Sequence, residues 1–170
     1  SAGTNYTITF VPDNFAITSK PLIITGITAN NKVYDGTTTA LLSSGTLSGV
    51  VDGDIVTLNA GSGSFADENA GSGKVVTVSG FSISGTDEVN YSLTQPTGLI
   101  ADIIKALPLI TWSNPSALTY GTALSAAQLN ATANTAGTFT YTPVSGTILN
   151  AGVNQALFVD FIPTDISNYE

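Results

Sequence analysis

Twelve carboxylates supply nearly all the reactive side-chain chemistry of this sequence, because it contains no histidine and no cysteine. Their absence removes the usual general base, the common nucleophile pairs and the zinc ligand sets. Serines abound, but none has a base partner and no G-x-S-x-G occurs. Two carboxylates can hydrolyse a glycosidic bond, and the pairs to consider are Asp52 with Asp54 and Asp67 with Glu68. Both sit in Gly-rich turns, where acids normally shape the turn and stay solvated. We expect no enzymatic activity.

Carboxylates and carbonyls in short loops also suit Ca²⁺. "VDGD" and "DEVN" crowd acids together, which makes Asp87 and Glu88 the first calcium candidates and Asp52 and Asp54 the next. An ion at Asp87 and Glu88 would stiffen a junction between modules. The D-x-[DN]-x-[DN]-G-x₅-E spacing is absent, and a later "TDISN" keeps one acid where "TDEVN" has two. Solvated loop charge is therefore preferred over a bound ion, and no other cofactor is expected.

The elements that carry these loops are repeated. "TDEVNY" at Thr86–Tyr91 returns as "TDISNY" at Thr164–Tyr169, "ENAG" at Glu68–Gly71 as "LNAG" at Leu149–Gly152, and "VYDGTTTALL" from Val33 as "TYGTALSAAQL" from Thr119. The three anchors keep their order at offsets of 78, 81 and 86 residues, so the second copy is about eight residues shorter. A third partial copy lays Asn5–Lys20 on Asn90–Lys105 without a gap. We accordingly expect residues 1–20 to be the C-terminal strands of a preceding repeat, 21–106 a complete repeat, and 107–170 a second repeat lacking its final strands. An incomplete repeat would leave an unpaired edge, which suggests head-to-tail exchange, with Asn5–Lys20 of one molecule completing Leu109–Tyr169 of another.

Strand-like alternation marks Tyr6–Phe10, Ile23–Ile27, Ile55–Leu58, Val75–Val78, Phe81–Ile83, Phe139–Tyr141 and Leu157–Phe161. Gly, Asn and Asp punctuate the gaps with turn chemistry. The one helical candidate is Ala123–Thr132, with Leu124, Ala127 and Gln128 on one face, and its counterpart "ALLSSGTLSG" is a poor helix. The expected fold is all-β: tandem immunoglobulin-like β-sandwich modules joined by short Pro-containing linkers, "SKPL" and "KALPL".

Recurring tyrosines fit that frame. Tyr34 and Tyr120 precede a glycine at corresponding positions, while Tyr6, Tyr91 and Tyr169 follow asparagine. Recurrence favours a packed ring with a bonded hydroxyl, as at a sandwich corner, over ligand contact. Trp112, the sole tryptophan, is expected to pack at a module edge. Lys32 beside Asn30 and Asn31 raises an intramolecular Lys–Asn isopeptide bond, with Lys74 and Lys105 no better placed.

Charge restricts partners. Four lysines and no arginine against twelve acids leave a net charge of −8, and such a chain cannot neutralise phosphates, so neither nucleic acid nor an acidic lipid surface is expected to bind. Sparse charge with abundant hydroxyls leans toward a secreted chain, and no apolar run is long enough to span a bilayer.

"NKVYDGTTTA" at Asn31–Ala40, the following "VDGDIVTLNAGSGSFADENAGSGKVVTVSG" and "NYSLTQPTGLIADI" closely resemble the YDG repeats of large bacterial surface proteins. Ile110–Gly152 is similar to the companion MBG-type immunoglobulin-like repeat. The resemblance implies an extracellular adhesin on the bacterial cell surface, built of many modules that contact their neighbours in the chain. Two functions are compatible with it. The repeats form a semi-rigid stalk that presents adhesive regions, or they bind host or environmental glycan, mucin or protein themselves, with calcium as a possible requirement.

Overall fold

Among the described residues, β-branched residues alternating with turn residues give fourteen short strands and a single 3-10 turn, Glu88–Asn90. This computed structural model describes Thr9 and residues 11–170. The strand expected at Tyr6–Phe10 therefore lies, apart from Thr9, outside the described residues. Residues 20–104 hold β1 (Lys20–Thr25), β2 (Lys32–Val33), β3 (Thr39–Ala40), β4 (Thr46–Ser48), β5 (Thr57–Asn59), β6 (Ser62–Phe65), β7 (Gly71–Ser79), β8 (Ser82–Ser84), β9 (Tyr91–Thr94) and β10 (Leu99–Ile104). Residues 110–163 hold β11 (Ile110–Thr111), β12 (Thr132–Ala133), β13 (Gly137–Thr142) and β14 (Phe158–Pro163).

In the N-terminal segment β7 lies at the middle of a ladder ordered β2-β10-β7-β6-β3, and a second ladder runs β4-β1-β9. β1 and β9 are parallel, with Lys20 opposite Tyr91 and Leu22 opposite Leu93. Lys74–Ser79 shows why the pattern specifies a strand: Val76 and Val78 turn inward while Val75, Thr77 and Ser79 face out. Val76 joins Ala40, Phe65, Ala101 and Ile103 in one core cluster, flanked by Tyr34, Ala70 and Leu99. Ile103 is 2% exposed, so truncation to alanine would cost about 3 kcal/mol. Apolar residues also reach the outer face, where the cross-strand pairs Val75 with Ile100 and Val33 with Ile104 are exposed. Alternation alone could not say which parity faced inward.

β10 carries a bulge between Ala101 and Ile103. The intervening Asp102 is held by Asn31, whose Oδ1 accepts from the Asp102 backbone N–H at 2.8 Å, and its carboxylate accepts from the Gly73 N–H at 2.7 Å. The run expected at Ile23–Ile27 ends earlier, because Gly26 adopts a φ of 74° that breaks the ladder after Thr25.

The C-terminal segment is built from two hairpin-like pairs, β11 with β12 and β13 with β14. Phe139 and Phe161 face each other in register, and their rings lie 4.7 Å apart. Gly137 is required there, since a Cβ would overlap the Phe161 ring. The helix considered over Ala123–Thr132 is only a single turn: Gln128 and Leu129 donate to the Ser125 carbonyl, and the chain is extended again by Thr132. "SAAQ" forms a capping arrangement in which the Gln128 amide oxygen accepts from Ser125. Leu124, Gln128 and Leu129 are buried, whereas Ala127 is exposed, so the buried face differs from the expected one by one position.

Candidate functional site

Two turns organise the candidate residues, and each is built from an aspartate and a glycine. In "YDGT" the Asp35 carboxylate accepts from the backbone and hydroxyl of Thr37 at 2.9 and 2.8 Å, and Lys32 Nζ closes the clip at 2.6 Å. Lys32 also donates to the carbonyls of Thr37 and Thr39. These contacts hold the Asp35 carboxyl down at about pKa 2, chiefly through Lys32 and then Thr37. Lys74 clamps the next acidic loop likewise, reaching Asp67 and the Asn69 carbonyl and lowering the Asp67 pKa. An isopeptide bond finds no such geometry at Lys32, whose Nζ faces Asp35 and threonine oxygens while the Asn31 amide faces Asp102.

The second turn joins two of the calcium candidates. Tyr91 is 7% exposed; its hydroxyl donates to Asp54 at 2.5 Å and accepts from the Val51 N–H at 2.9 Å. Asp87, at the start of the 3-10 turn, accepts from the Ile55 N–H at 2.8 Å. Asp54 and Asp87 are thus brought to the same loop pair but spent on protein donors. The Asp54 hydrogen bond, followed by desolvation, raises the Tyr91 pKa. Gly85 sits at φ 131°, and any Cβ there would overlap the Ile55 carbonyl. Asp52 is exposed and Glu88 half-buried. Among the described residues no group of three or more acidic side chains stands close enough to hold a metal ion, and no helix is long and apolar enough to cross a membrane.

Residues 18–98 match the family model of the YDG domain. The YDG match covers both turns and strands β1 to β9, and residues 99–170 lie outside it. No curated protein and no solved structure matches the chain.

The side chains that sequence reasoning missed lie where the YDG domain meets the C-terminal segment. Asn168, 5% exposed, accepts from the Ala70 N–H at 2.7 Å and donates its amide to Asn69 at 3.2 Å and to Asp165 at 2.8 Å. Asp165 caps its own turn by accepting from the N–H groups of Ser167 and Asn168. Lys105 Nζ donates to the Ile166 carbonyl, and Ala106 pairs in parallel with Tyr169. The Tyr169 ring meets Tyr34 edge-on at 5.5 Å. Burial first, and then Asp165, raise the Tyr34 pKa. The signal was present in the repeated "NAG" and "N-Y" motifs, but their pairing across copies is not a matter of sequence spacing.

Tyr6 lies outside the described residues, and four of the five described aromatic candidates pack against protein. Tyr34, Tyr91 and Tyr169 do so as described. Trp112 is half-buried, its indole N–H donating to the Gln128 carbonyl at 2.9 Å and its ring 5.4 Å from Tyr141. Tyr120 differs, being 70% exposed on the wall of a groove of about 510 Å³ that also includes Asn150, Ala151 and Gly152. The expected packed ring does not describe Tyr120. Lys32 of the clip aligns with Leu118, and Asp35 has no counterpart in "TYGT", so nothing ties that turn down as in the YDG copy.

Proposed function

We propose that the chain is a non-catalytic section of a bacterial surface adhesin, in which a YDG module and an MBG-type immunoglobulin-like module follow one another as part of a semi-rigid extracellular stalk. The observation that carries this reading is the buried Asn168, which links the turn of one copy to the Asn69–Ala70 loop of the other. A freely jointed linker would leave those groups to water. Here the connecting residues Lys105 and Ala106 are themselves bonded to the same turn, so bending requires several hydrogen bonds to break together.

Support also comes from where the acids are used. Asp35, Asp54, Asp67, Asp87 and Asp165 each brace a turn, which is the expenditure of polar groups expected of a scaffold. Small-angle scattering together with residual dipolar couplings tests the proposal: one fixed orientation of residues 20–104 and 110–163 is expected, and independent tumbling would overturn it. A panel of glycans, mucins and matrix proteins, run with calcium and with chelator, tests the alternative that the repeat is itself adhesive.

A further inference from the structure

We infer that the groove beside Tyr120 is a docking site for the Asp87–Tyr91 turn of a second copy of this chain, reproducing between molecules the contact that Asn168 makes within one. The inference follows from the internal junction and goes beyond the stalk reading, which concerns stiffness within a single chain.

The internal junction has a receptor and a plug. The receptor is Tyr34 beside Asn69 and Ala70, and the plug is the turn Asp165–Tyr169. Each half occurs a second time in the same molecule, exposed. Tyr120 aligns with Tyr34 and Asn150–Ala151 with Asn69–Ala70, and the structure brings those aligned residues to one groove. Asp87–Tyr91 aligns with Asp165–Tyr169, and both are one-turn structures led by the aspartate: Asn90 donates its N–H to the Asp87 carbonyl, as Asn168 does to Asp165. Both tyrosines pair in parallel with the chain that enters their own copy, Tyr91 with Lys20 and Tyr169 with Ala106.

The difference is burial. Asn168 is buried, while Asn90 is exposed and the adjoining Val89 is 81% exposed. Tyr120 is likewise exposed where Tyr34 is half-buried. The two exposed surfaces therefore carry the same kinds of group as the covered junction: an exposed amide on one side, and a ring beside an Asn-Ala-Gly loop on the other. Tyr91 is enclosed by the Val51–Asp54 loop, so Val89 takes the apolar role that Tyr169 has toward Tyr34. Plug and groove are on different copies, so the contact is heterologous and propagates head to tail.

Sedimentation of the full chain between about 1 μM and 1 mM tests this, because a contact of this size is expected to be weak and concentration-dependent. Linear self-association is expected. Asn90→Ala, which spoils the plug, and Tyr120→Ala, which spoils the groove, should each weaken it about tenfold, and both residues are exposed, so the melting temperature serves as a control for folding. Mixing the two variants should yield a one-to-one dimer that grows no further, since one intact groove meets one intact plug. A chain that stays monomeric over the whole range, association indifferent to both substitutions, or a glycan that binds at Tyr120 with no self-association, would overturn the inference. None of these results would bear on the orientation measurement that tests the stalk.

Discussion

Asn168 Oδ1 accepts a hydrogen bond from the Ala70 backbone N–H at 2.7 Å across 98 residues of sequence. Its amide nitrogen simultaneously reaches Asn69 and Asp165, so one side chain fastens two copies of the repeat. Asn168→Ala leaves the Ala70 donor and the Asn69 and Asp165 acceptors without that partner. The expected loss is about 2 kcal/mol in urea unfolding, together with a broader distribution of orientations between the halves in dipolar couplings. Unchanged stability and a single orientation would show that the junction is held by other contacts.

Tyr91→Phe keeps the ring but removes the hydroxyl shared by Asp54 and Val51. A melting temperature lower by about 3 °C or more is expected. Asp54→Asn should produce a smaller drop, because an amide can still accept from the hydroxyl. Identical behaviour of Tyr91→Phe and wild type would remove the loop clamp from the account of stability.

Acid should loosen the YDG turn. The Asp35 pKa falls from 3.8 to about 2 on folding, so its contribution is present above pH 4 and is lost as the pH falls from about 4 through 2. Tyr34 and Tyr91 are raised above 10.0, so theirs is present below pH 10 and is lost as the pH rises through the folded values. Thermal melts from pH 2 to 11 are expected to fall at both ends, and Asp35→Asn should flatten the acid limb.

Gly85 combines a φ of 131° with contact against the Ile55 backbone. Alanine there should cost at least ~2 kcal/mol, and urea unfolding measures it. Gly53, also at positive φ but open to solvent, should cost less on the same substitution, which separates backbone strain from collision.

Calcium is expected to leave the melting temperature unchanged, since Asp54 and Asp87 already accept from Tyr91 and Ile55. A rise on adding Ca²⁺ that chelator reverses would mean that these acids rearrange to bind it.

The all-β character was legible because β-branched alternation and turn residues agree along the chain, as in Lys74–Ser79. The short ladder β5 with β8 and the bulge at Asp102 were not legible, since partner choice depends on residues far away in sequence. The candidate acids were correctly located in turns, yet their hydrogen-bond donors, Tyr91 and the Ile55 N–H, come from elements 32 to 37 residues distant. Tyr120 shows the limit most plainly. It aligns with Tyr34, but the Lys32–Asp35 clip is absent from its copy, and its ring is exposed.

By itself the sequence determined strand-forming segments, turn positions, the repeat and the lack of imidazole and thiol chemistry, because these depend on residue type and near-neighbour spacing. Only the tertiary structure decided which face of each strand is buried, that Asn168 bridges two copies, and that Asn90 and Tyr120 stay uncovered. Those outcomes depend on which groups meet across long stretches of chain, where an amide satisfied by a distant backbone is buried and its repeat counterpart, lacking that neighbour, remains in water.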